Sequence, residues 1–151
     1  MKNYNFPLLI AEDNADEVML LRRVLTQTGT LNPVHIVNDG QEAIEYLSGD
    51  GKYADRELFP LPRLMITDIK MPRRNGLEVL QWLHNHPELK TVPALVLTNS
   101  SQPSDIKEAF RWGAHGYFIK PMTSEELKSM FQLIHNYWFL SRTPEQEWMP
   151  S

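Results

Sequence analysis

Short apolar runs alternate along the chain with longer segments of helical period. PLLIA (7–11), VHIVN (34–38), RLMIT (63–67), TVPALVLT (91–98) and GYFIK (116–120) are the apolar runs, bounded by turn-forming residues. Strands of this kind are buried on both faces, and with helices between them they predict an α/β domain built on a mostly parallel sheet. The VHIVN run is expected at an edge of that sheet.

The helical segments carry their own start and stop signals. NADEVMLLRRVLTQTG (14–29) places Val18, Leu21 and Leu25 on one face and stops at Gly29. GQEAIEYLSG (40–49) predicts a short second helix. GLEVLQWLHNH (76–86) sets Leu77, Leu80 and Leu83 at core spacing, with Pro87 just beyond its end. SDIKEAFRWGA (104–114) and a long segment from Ser124 to Leu140 complete five strand–helix units. Leu127, Met130, Phe131, Ile134 and Tyr137 are the expected core stripe of the last helix. The stretch DGKYADRELFPLP (50–62) has two prolines and no clear period, so it reads as a long surface loop.

Composition narrows the function classes. With 151 residues, 42% hydrophobic and 23% charged, the chain has the profile of one ordinary globular domain, with a core over 6–140 and a polar tail at 141–151. The net charge of -4 and the scatter of Lys and Arg argue against a nucleic-acid partner. The absence of Cys removes disulfides, thiolate zinc sites and thiol catalysis. No run approaches the ~20 apolar residues of a membrane span, and the N-terminal run is broken too early by acids for a signal peptide, so the cytoplasm is the expected location. The five histidines do not group into a metal site: His84 and His86 are misphased on one helix, and His35, His115 and His135 stand on separate elements.

In open parallel sheets, ligands bind beyond the carboxyl ends of the strands. Glu12 and Asp13 follow the first strand, Asp68 the third, Thr98 ends the fourth, and Lys120 with Pro121 ends the fifth. Each alone has an ordinary explanation, such as a helix cap for Asp13 or a solvated charge for Lys120. Together they are harder to dismiss. Carboxylates gathered at 4 Å repel by about 4 kcal/mol per pair at an effective dielectric of 20, and a hard divalent ion relieves that repulsion.

Four pieces in this order, E-D at 12–13, D-x-x-M-P-x-x-x-G at 68–76, L-T at 97–98 and K-P at 120–121, resemble the CheY-like receiver domain of two-component response regulators. The resemblance runs from Leu8 to Leu140. It implies a doubly wound, flavodoxin-like sandwich of three layers with strand order 2-1-3-4-5. It further implies that Asp68 is the phosphoacceptor, taking its phosphoryl group from a sensor histidine kinase. Magnesium is expected on Glu12, Asp13, Asp68 and the backbone carbonyl of Lys70, with Lys120 and Thr98 contacting the phosphoryl oxygens and Tyr117 as the aromatic switch. Glu12 is one methylene longer than the Asp common at its position, which leaves open whether it touches the metal directly.

The run AEDNADEVMLLRRVL, the extended loop before the third strand and the aromatic end resemble the single-domain regulators paired with bacterial phytochrome kinases. Signalling is then by protein contact rather than by turnover. Leu133, Trp138, Phe139 and Leu140 add apolar surface beyond one buried stripe, and are expected to form a homodimer seam or kinase dock. Tyr53, Phe59 and Leu61 of the 50–62 loop are candidates to join it. Three alternatives stay open: a non-phosphorylated receiver-like scaffold, a flavodoxin-like cofactor binder, and a magnesium phosphatase of the haloacid dehalogenase kind. The last two fit the first loop poorly, where E-D-N-A-D offers acids instead of phosphate donors and lacks an in-phase Asp-x-Asp pair.

Overall fold

The structure, a computed structural model, describes residues 6–29 and 33–140, except for the side chains of residues 139 and 140. Five strands, β1 (Leu8–Ala11), β2 (Val34–Val37), β3 (Leu64–Thr67), β4 (Ala94–Thr98) and β5 (Gly116–Ile119), form a parallel sheet in the order β2-β1-β3-β4-β5. Helices α1 (Ala15–Thr28), α2 (Gly40–Ser48), α3 (Gly76–His84), α4 (Pro103–Arg111) and α5 (Ser124–Leu140) connect the strands and cover them. This is the expected topology, with β2 at the edge.

Side chains of successive strand residues point to opposite faces, and the core divides accordingly. Leu8 and Ile10 of β1, Leu64 and Ile66 of β3, and Leu95 and Leu97 of β4 pack with Leu21, Val24 and Leu25 of α1 and Leu127, Phe131 and Ile134 of α5. Leu9, Ala11, Met65, Ala94 and Val96 take the other face, against Ala43 and Leu47 of α2 and Val79 and Leu80 of α3. Burying each leucine stabilises the fold by about 1.5–3 kcal/mol, so the central strands contribute much of the core's stabilisation.

Helix ends follow local chemistry. Asn14, Asp39 and Asn75 cap α1, α2 and α3 by accepting from the amides of Glu17, Glu42 and Glu78. Glu78 returns the bond to the Asn75 amide, closing a capping box. Gly29, at φ 65°, ends α1 in the left-handed conformation.

Two expectations change. The 50–62 segment is not a plain surface loop. It opens with a 3-10 turn at Gly51–Ala54, buries Tyr53, and packs Tyr46, Tyr53 and Phe59 in tilted and edge-to-face contacts with ring centroids 4.9–6.0 Å apart. Arg56 fastens it by donating to the carbonyls of Tyr46 and Leu47 at the end of α2. Tyr53 and Phe59 are therefore engaged within the chain, while Leu58 and Leu61 remain exposed. On α5, Tyr137 is 66% exposed whereas Trp138 packs against the core beside Phe6 and its neighbours, and Arg63 donates to the Trp138 carbonyl. The inward position falls on Trp138 because the stripe Leu127, Phe131, Ile134 continues four residues on rather than three. Leu133 is 69% exposed. The side chains of Phe139 and Leu140 and the tail at 141–151 lie outside the described residues.

Candidate functional site

The register of the sheet assembles the site. Ala11 pairs with Thr67, so Glu12 and Asp68 emerge side by side. The Asp68 amide donates to the Ala11 carbonyl at 3.0 Å, and the Glu12 amide to the Val37 carbonyl at 3.0 Å. On the other side the Lys120 amide donates to the Thr98 carbonyl at 2.8 Å, bringing β5 to the same rim.

At this rim the Lys120 ammonium donates to Glu12 Oε1 and to Asp68 Oδ2, both at 2.8 Å. It also pairs with Glu17 of α1. Asp68 Oδ1 accepts from the Ile69 amide at 2.7 Å, and Glu12 Oε2 from the Asn14 amide at 3.1 Å. One carboxylate oxygen each from Glu12, Asp13 and Asp68 lies within 4.8 Å of the other two. Asp13 is exposed, Asp68 half-buried and Glu12 only 2% exposed. Burial pushes the Glu12 carboxyl up to about 7, against the opposing pull of Lys120 and the Asn14 amide. Lys120 moves up as well: burial works against its charge, but its bonds to Asp68, Glu12 and Glu17 outweigh that.

The loop from Asp68 to Gly76 is folded tightly onto the strand end. The Gly76 amide donates to the Ile69 carbonyl at 2.7 Å, and a Cβ on Gly76 would lie 1.9 Å from the Asp68 carbonyl oxygen. Glycine at 76 is thus a requirement of the Asp68 backbone. Arg73 sits at φ 62°, a left-handed conformation costing a non-glycine residue about 1–2 kcal/mol. Its Nε donates to Asp39 Oδ2 at 2.8 Å, and the Gly40 amide donates to the Arg74 carbonyl. Lys70, two residues past Asp68, is exposed. Thr98 is buried, its hydroxyl oxygen accepting from the Ser100 amide at 3.3 Å. The Tyr117 hydroxyl donates to the Ser100 carbonyl at 2.7 Å, with its ring against the α2–α3 core, so Thr98 and Tyr117 meet through one loop residue.

The model of the response regulator receiver domain family matches residues 8–132. The chain belongs to this family. Phosphoryl acceptance by an aspartate is the function of the family. The chain is 32% identical over 136 residues to the probable methanogenesis regulatory protein FilR2 of Methanothrix harundinacea, covering 88% of this chain and 83% of the relative. It is 30% identical over 131 residues to response regulator Rcp1 of Synechocystis sp. (strain ATCC 27184 / PCC 6803 / Kazusa), covering 87% of each. Among solved structures, the phosphorylated cyanobacterial phytochrome response regulator RcpA superposes with a TM-score of 0.82 at 28% identity, over 92% of this chain and 97% of that one. The Mn2+-bound form of Rcp1 superposes at 0.78 with 28% identity, over 97% of this chain and 100% of that one. These relatives make the receiver homologous to phytochrome response regulators. Among the described residues, no helix is long and apolar enough to cross a membrane.

Sequence reasoning singled out Glu12, Asp13, Asp68, Thr98 and Lys120 as candidates, and the structure places them along one rim. It missed Glu17, Asp39 and Arg73. Glu17 and Asp39 were visible only as acids near helix starts, a position that favours acids for local reasons.

Proposed function

We propose that this receiver takes a phosphoryl group on Asp68 from the phosphohistidine of a sensor kinase of the phytochrome type, and signals by protein contact without turnover. The observation that carries the reading is the Lys120 ammonium held between Glu12 and Asp68 beside the carboxylate trio. Asp68 Oδ attacks phosphorus, the P–N bond breaks, and the imidazole leaves as the acyl phosphate forms. The Ile69 amide and the strand end hold the carboxylate in a fixed pose, and a positioned nucleophile lowers the barrier without new chemistry.

The donor set suits a hard cation: three carboxylates converge, and Glu12 is burdened enough by burial to move its proton affinity upward. Glu12, Asp13 and Asp68, with the Lys70 carbonyl, would hold magnesium. When bound, magnesium supplies positive charge against the phosphoryl oxygens. Lys120 pairs with the same oxygens as a point charge. Thr98 donates its hydroxyl to the new anion, and Tyr117 follows through Ser100, reshaping the α4–β5–α5 face by population shift.

The whole chain acts as one receiver domain in the cytoplasm, and Leu133 with the neighbouring exposed face of α5 forms a homodimer seam. The test is intact-mass analysis after incubation with acetyl phosphate and magnesium. The wild type gains one phosphoryl group and Asp68→Asn gains none. Equal labelling of both rejects the assignment, and no labelling of either favours a scaffold.

A further inference from the structure

An ammonium has three protons to donate, and Lys120 directs its nitrogen at three carboxylates: Glu12, Asp68 and Glu17. A phosphoryl group on Asp68 inherits the donor that Asp68 now holds, and its further anionic oxygens compete with Glu12 and Glu17 for the rest of the ammonium's charge. Asp68 carries the phosphoryl group itself. Glu12 is buried and fastened by the Asn14 amide. Glu17 comes from the first turn of α1, where Asn14 fixes its backbone but its side chain is 33% exposed and free to retreat into water. It stands on the wall of a groove of about 250 Å³ that runs from Lys120 between α1 and α5 over Leu20, Leu97 and Leu127.

We propose that Glu17 is a positioning residue that competes with the phosphoryl group for Lys120, and so sets how tightly this receiver holds its modified state. The inference rests on the receiver reading of the site. An acid in the first turn of a helix needs no such role, since it complements the helix dipole, but the exposed Asp16 next to it does that equally well. Only a residue engaged with Lys120 has opposite effects on the two ligands of the rim. Neutralising Glu17 removes an anion near the metal ligands and lets Lys120 settle on Glu12 and Asp68, which weakens the metal. It also frees Lys120 for an anion on Asp68.

The test is isothermal titration calorimetry on the full chain, with magnesium alone and then with beryllofluoride, a phosphoryl mimic, at saturating magnesium. Glu17→Gln is expected to bind magnesium about two- to threefold more weakly and beryllofluoride about two- to fivefold more tightly, the scale of one partly exposed ion pair. Asp16→Asn, a control for charge in the same turn, leaves the ratio of the two affinities unchanged. If Glu17→Gln shifts both affinities in one direction, or neither, or if Asp16→Asn reproduces the split, the proposal is overturned while the receiver reading stands. If the wild type binds no beryllofluoride at saturating magnesium, both fall together.

Discussion

Gly76 and Asp68 meet backbone to backbone: a methyl group on Gly76 would lie 1.9 Å from the Asp68 carbonyl oxygen and 2.9 Å from its carbonyl carbon. Nothing flexible is available to move aside. Gly76→Ala is therefore expected to cost about 3 kcal/mol and to lower phosphoryl uptake by displacing the strand end that carries the nucleophile. Gly51, at φ 56° with nothing within 4 Å of its missing Cβ, is the control, since its alanine variant meets backbone strain alone, about 1 kcal/mol. Urea unfolding of both variants checks the difference.

Lys120 neutralises acids that no other described side chain bridges in this way. Lys120→Met leaves the largely buried carboxylates of Glu12 and Asp68 without their shared cation, and should destabilise the metal-free protein by about 2–3 kcal/mol. Magnesium then has less positive charge to oppose it. Added magnesium should raise the melting temperature of Lys120→Met more than that of the wild type, as a ligand bound only by the folded state does. Thermal melts with magnesium or with chelator read this directly, and an equal response in both proteins speaks against a shared site.

Asp39 caps α2 and holds Arg73 in its left-handed turn. Burial raises the Asp39 carboxyl, but the Arg73 hydrogen bond and the Glu42 amide outweigh it and bring it below the usual carboxylate range. A depressed folded-state value stabilises above the unfolded value of about 3.9 and is lost as pH falls through the folded value. Acid titration of stability should therefore show a limb below about pH 4 that is reduced in Arg73→Ala, which removes the side-chain partner and keeps the cap. Asp39→Ala loses the cap as well, at about 1 kcal/mol at neutral pH.

Leu133 and Tyr137 are both more than 60% exposed on α5, a helix whose opposite side is buried. Leu133→Glu should convert a concentration-dependent dimer into a monomer in sedimentation, with no loss of monomer stability beyond about 0.5 kcal/mol, because the side chain touches water in the isolated chain. A wild type that stays monomeric at high concentration, with and without beryllofluoride, removes the seam.

What was legible in the sequence is what depends on local period. Short apolar runs mark the strands, and a strand end fixes where its next residue emerges, so the sequence alone sets Asp68, Thr98 and Lys120 on one rim. Tyr137 and Trp138 show the limit: one residue of helical phase decides which ring is buried, and both are aromatic. Tyr53 and Phe59 show another, since their burial depends on rings of α2 and on Arg56 reaching the end of that helix. The Asp39–Arg73 pair spans 34 residues and two loops, and nothing near either residue marks the other as its partner.

The most direct test of the central claim locates the acyl phosphate within the chain. Protein treated with acetyl phosphate and magnesium is reduced with borohydride, which converts an aspartyl phosphate to homoserine, and then digested and sequenced by mass spectrometry. The expected result is homoserine at position 68, dependent on magnesium. Homoserine at Asp13 or Asp39 with Asp68 intact would contradict the account.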